Sequence, residues 1–158
     1  MWFRKDICGI IAELQIRKYG KWNISNMYDN WCECDFCFRS GDWLNYHQES
    51  DECLLPFEVE ALEENLTKLL EDGFTQPSEV VLTEPDFKFS LYPKRDLRED
   101  PRCVYVPKGQ EIEDIYAEWK IYFWHRGLTQ NHLILTLDRE DITDLRDYLS
   151  SVIHGNVR

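Results

Sequence analysis

NWCECDFCFRSGDWLNY, residues 30–46, packs three of the chain's six cysteines into six positions and reads either as a metal hook or as a piece of sheet. Its period separates the two. Cys32, Cys34, Phe36 and Phe38 fall on alternate positions with Trp31, Glu33, Asp35, Cys37 and Arg39 between them, the pattern of a strand with one buried face. Cys34 and Cys37 also form a C-x-x-C, but a structural zinc site needs a second paired hook. Cys8, Cys53 and Cys103 stand alone, with no His-x-x-x-His beside them. The cysteines are therefore read as small buried hydrophobes, with no metal and no cofactor expected. Gly41-Asp42 then supplies a turn and Trp43-Leu44-Asn45-Tyr46 the returning strand, so the stretch predicts a hairpin.

The same alternation extends in both directions. Cys8, Ile10, Ala12, Leu14 and Ile16 predict a first strand; Val80 to Leu82, then Phe87, Phe89 and Leu91, predict two more around the Glu84-Pro85 break; Cys103 to Val106 predicts a short one. In IYAEWKIYFWH, residues 115–125, Ile115, Ala117, Trp119, Ile121 and Phe123 make one face. Leu133, Leu135 and Leu137 make the buried side of the next strand. Two segments change to helical spacing, about 56–72 and 139–153. The first carries Val59, Leu62, Leu66, Leu69 and Leu70 on one side and opens on Pro56. The second carries Ile142, Leu145, Leu149, Val152 and Ile153 and opens on an N-cap Asp138. Each apolar position of the second lies 83 residues after its counterpart in the first, an offset that suggests an internal duplication and that the period of 3.6 alone also produces. The expectation is an α+β fold: a mainly antiparallel, curved sheet covered by two amphipathic helices, in a single domain over 1–158.

Composition narrows the function. Apolar residues at 43% support a packed core, and 18 basic against 30 acidic side chains give a net charge of −12. That charge repels phosphate backbones and anionic lipid and attracts basic proteins, so neither nucleic acid nor membrane is expected as partner. The opening residues contain neither a signal peptide nor a membrane span, which predicts a cytoplasmic protein with reduced thiols. The sequence carries no signal of oligomeric state.

Tyr28-Asp29-Asn30-Trp31 entering a strand, Leu54-Leu55-Pro56-Phe57-Glu58 opening a helix, Glu84-Pro85-Asp86-Phe87-Lys88-Phe89, and Leu135-Thr136-Leu137-Asp138 before the last helix resemble, in that order, the WapI-like immunity proteins of bacterial polymorphic toxin systems. The resemblance implies a non-catalytic protein that binds and neutralises the toxin domain encoded beside it. Many such toxins are nucleases with basic clefts, and an acidic inhibitor can steer onto one. Candidate contacts are Glu60, Glu64 and Glu71 on the outward face of the first helix and Glu140, Asp144 and Asp147 on that of the second. A solvated helix face explains the same residues.

Two rival classes remain at this level. For an enzyme, the chain offers no Gly-rich phosphate loop, no H-E-x-x-H and no G-x-S-x-G, and His47, His125, His132 and His154 sit apart. An interaction adaptor unrelated to toxins shares every feature of the immunity reading.

Overall fold

The computed structural model describes residues 1–20, 25 and 30–155. Tyr28 and Asp29 of the motif quoted above lie outside the described residues. Four strands, β1 (Phe3–Ile7), β2 (Ile10–Arg17), β3 (Cys32–Ser40) and β4 (Leu44–Leu54), form an antiparallel meander in chain order and lead into α1 (Pro56–Leu70). β5 (Ser78–Val80) and β6 (Phe87–Tyr92) follow, then a two-stranded ribbon of β7 (Arg95–Asp96) and β8 (Ile112–Glu113). β9 (Tyr116–Trp124) and β10 (Leu128–Leu137) complete a second four-stranded sheet, in the order β10-β9-β6-β5, and lead into α2 (Arg139–Ile153). The α+β class stands, with the antiparallel strands shared between two four-stranded sheets and the short ribbon rather than gathered in one. Each half runs meander then helix, and the paired helix positions Val59 and Ile142, Leu62 and Leu145, Leu66 and Leu149, and Leu69 and Val152 are all buried.

One core joins the halves. The alternation of β3 puts Cys32, Cys34, Phe36 and Phe38 inside, where Phe36 meets Phe87 edge-on at 4.8 Å and Phe38 meets Trp119 at 5.2 Å. Phe87 and Phe89 also pack on Trp119, at 5.3 and 5.5 Å. Offset and edge-to-face ring contacts at such separations are favourable beyond the area they bury. The helices pack against each other, and Arg139 at the start of α2 donates to the Leu70 carbonyl at the end of α1, at 3.2 Å. α2 also clasps the first two strands: on β1, Lys5 Nζ reaches Asp144 at 2.6 Å and Glu140 at 2.8 Å, and on β2 the Ile16 N–H donates to the Tyr148 hydroxyl at 2.7 Å.

Helix starts follow from local chemistry. At α2, Asp138 accepts the Asp141 N–H at 2.9 Å, and Asp141 accepts the Asp138 N–H in return. Leu55 precedes α1 without a side-chain acceptor. Pro56 removes one N–H that would need a partner, and the carboxylate of buried Glu58 takes the Leu55 N–H at 2.9 Å.

Several boundaries differ from expectation. Cys8 is not in the first strand: Cys8 and Gly9 are the turn of a β1–β2 hairpin, both at positive φ, with the Gly9 N–H bonded to Asp6 at 2.7 Å. An alternation read through two residues of turn hides the hairpin. Cys103–Val106 is not a strand either. It pairs with no strand among the described residues and runs through the loop between β7 and β8, with Val104 99% and Tyr105 81% exposed. β5 stops at Val80, leaving Val81 and Leu82 beyond it; Trp43 belongs to the turn before β4; α1 ends at Leu70 with Glu71 as its C-cap.

Candidate functional site

All six carboxylates singled out on the helices are exposed. Their engagements differ. Glu140 and Asp144 converge on Lys5, Asp147 pairs with Arg146 at 2.8 Å, and Glu60 accepts the Tyr19 hydroxyl at 2.6 Å. Glu64 and Glu71 complete the set on α1, with Lys68 of the same face lying over the Phe74 ring at 4.6 Å. The structure thus brings together two of the six, around a cation of the protein itself.

A denser acidic feature lies elsewhere. At the end of β4 the pairing with β3 shifts register twice, and Ser50 takes positive φ. Asp35 holds this bulge by accepting the Ser50 N–H at 2.8 Å, and Arg17 reaches both Asp35 and the Ser50 hydroxyl, at 2.7 and 2.9 Å. Bulges re-aim side chains, and here Glu49, Asp51 and Glu52 line one open cleft of about 430 Å³ with Glu84, Asp86 and Trp124. Among the described residues no lysine, arginine or histidine forms an ion pair with any of these carboxylates.

Asp86 is 3% exposed. Its carboxylate accepts the Trp124 indole N–H at 2.7 Å and its backbone carbonyl accepts the Tyr122 N–H at 3.0 Å. Burial, reinforced by the negative charge of Asp51, pushes its pKa up to about 6 against the opposing Trp124 hydrogen bond. Asp51 is raised too, first by its own burial. Desolvation without a compensating cation produces this pattern.

The far side of the same segment is mainly apolar, with the Lys88–Glu79 ion pair, Thr129 and Gln130 as its polar lining. Val81, Leu82, Pro85, Phe87, Tyr122 and Leu128 line a second cleft of about 370 Å³, which shares Glu84 with the first. Residues 81–86 are thus a rim between the two clefts. The rim is fixed: Glu58, besides closing the start of α1, accepts the Thr83 N–H at 2.5 Å. Sequence reading assigned Val81 to a strand face and Asp86 to a family motif, and missed the clefts. The available signals were the run Glu49-Ser50-Asp51-Glu52, which breaks the alternation of β4, and Pro85 set between two acids just before an aromatic strand.

The expectation of buried cysteines holds for three of the six; Cys37 and Cys103 are half-buried and Cys8, in its turn, is exposed. Cys32, Cys34 and Cys53 are buried; burial pushes the Cys32 thiol up to about 12, and the Cys34 contact and burial raise that of Cys53. Such thiols are protonated at neutral pH and poor nucleophiles. Among the described residues no three His, Cys, Asp or Glu side chains are grouped to hold a metal ion, and no helix is long and apolar enough to cross a membrane. All four histidines are exposed.

A protein-family model, that of the immunity protein WapI-like family, matches residues 5–155. No curated protein matches the chain.

Proposed function

The chain belongs to the WapI-like immunity protein family, and from that premise we propose that it acts, as one domain over residues 1–158, by binding a cognate bacterial toxin domain in the cytoplasm and blocking it without chemistry of its own. Family membership carries the reading. The net charge of −12 supports a basic partner, of the kind a nuclease with a phosphate-binding cleft presents. Exposed carboxylates on both helices, Glu60, Glu64, Glu71, Glu140, Asp144 and Asp147, add to a field that accelerates encounter with such a surface. Binding alone is sufficient, since occupying or distorting the toxin's site stops turnover, and ordinary interfaces reach nanomolar affinity or better.

The test is co-expression with the toxin domain encoded by the neighbouring gene. Growth is rescued, the two proteins co-purify, and toxin released from the complex by denaturation and refolding regains full activity, with its mass unchanged. A toxin that remains lethal beside an abundant, folded partner would sink the assignment.

A further inference from the structure

The two clefts flanking residues 81–86 differ in chemistry and share an edge. One is lined by five carboxylates without an ion-pair partner among the described residues, and one of them, Asp86, is almost wholly buried. The other is lined mainly by apolar groups. Val81 is 80% exposed, Leu128 44% and Trp124 38%, so large apolar side chains face solvent directly beside uncompensated charge.

In the free protein the nearly buried Asp86 and the apolar side chains left in water are both unfavourable. Elsewhere the fold gives many of its acids a cation, as at Glu13, Asp35, Asp100, Asp114 and Asp144. Here the segment is held by N–H groups instead: the Thr83 N–H donates to Glu58, the Tyr122 N–H to the Asp86 carbonyl and the Trp124 indole to the Asp86 carboxylate. A braced rim loses little conformational freedom when something docks on it, and preorganisation of that kind increases affinity.

We propose that this double cleft is the docking groove for the toxin: the acidic side receives a lysine or arginine side chain of the partner, and the apolar side receives a hydrophobic side chain adjacent to it. The inference rests on the immunity reading and deepens it by naming a surface and the chemistry it takes. Charge complementarity selects this occupant over a second copy of the chain, because a copy would bring its own acidic groove and a net charge of −12 to the same place. A buried cation supplies what Asp86 lacks, and an apolar anchor beside it fits the arrangement in which a few desolvated contacts dominate an interface.

The experiment measures binding to the neighbouring gene's toxin domain, inactivated by mutation, for the wild type and for Val81→Asp, Leu128→Asp, Glu49→Lys and Glu84→Lys. Thermal melts confirm that each variant is folded. Val81→Asp and Leu128→Asp each weaken binding by about tenfold or more, mainly through faster dissociation. Glu49→Lys and Glu84→Lys weaken it comparably, whereas Glu64→Lys and Glu71→Lys on α1 leave dissociation unchanged. Hydrogen exchange of the wild-type complex shows new protection at 49–52, 81–86 and 122–130. Wild-type affinity in all four groove variants, protection confined to the helix faces, or a toxin-free dimer formed through these segments would overturn the groove and leave the immunity role intact. Absence of any complex with the wild type would remove both.

Discussion

A carboxylate that is nearly buried and has no cation beside it works against the fold whenever it is ionised, and among the described residues Asp86 is such a group. Its pKa rises from 3.8 to about 6, so between those values the folded state binds more protons than the unfolded one. The Asp86 contribution is therefore fully present below about pH 4 and is lost as pH climbs through about 6. Asp86→Asn, which keeps an acceptor for the Trp124 indole, should accordingly be more stable than wild type at pH 7 by roughly 1–3 kcal/mol, at about 1.4 kcal/mol per unit. The gap should close at pH 4, as urea titrations at the two pH values will show. Glu58 is the opposite case, because both of its oxygens are used, on the Leu55 and Thr83 N–H groups. Glu58→Gln leaves one of those donors without its acceptor and should lower stability by roughly 1–3 kcal/mol, with faster amide exchange at Thr83. Neither role was legible in the sequence. Periodicity identifies apolar faces, and it placed Cys32, Cys34, Phe36 and Phe38 inside correctly, but a buried acid reveals itself only when distant N–H groups meet it.

At the scale of elements, the two helices were readable because burial there depends on spacing within one segment. Leu66 sits fully buried on α1, and Leu66→Ala should cost about 2–5 kcal/mol, seen as a lower denaturation midpoint with an unchanged slope. Tyr148 was missed on α2, since a tyrosine in an amphipathic pattern suits either face. Its hydroxyl takes a backbone N–H of β2, and Tyr148→Phe should cost about 0.5–1.5 kcal/mol with the hydrophobic packing retained. Strands are harder, because a strand exists only by pairing. The apolar alternation at Cys103–Val106 pairs with no strand among the described residues and stays a loop. That at Cys8–Ile16 conceals a hairpin whose turn imitates the period, and the bulge that bends β4 into the acidic cleft depends on Asp35 and Arg17, on other strands.

For the whole molecule, the sequence carried the class and the balance of charge, while the facing of two sheets across Trp119 came from contacts remote in the chain. The charge has a kinetic consequence on the proposed reading. Association with a basic toxin should slow steeply between about 50 and 500 mM salt as the screening length shrinks from more than 10 Å to a few ångströms, with dissociation changing far less. Stopped-flow traces over that range decide it, and a salt-independent association rate would remove steering as the explanation for the acidity. The clasp of Lys5 by Asp144 has a different consequence, because these residues are 139 positions apart. A ribosome adding about 5–20 residues per second leaves β1 without the helix that covers it for roughly 7–28 s. The core of this chain therefore closes only after α2 emerges, and a nascent copy that has not yet reached α2 has no closed core with which to act.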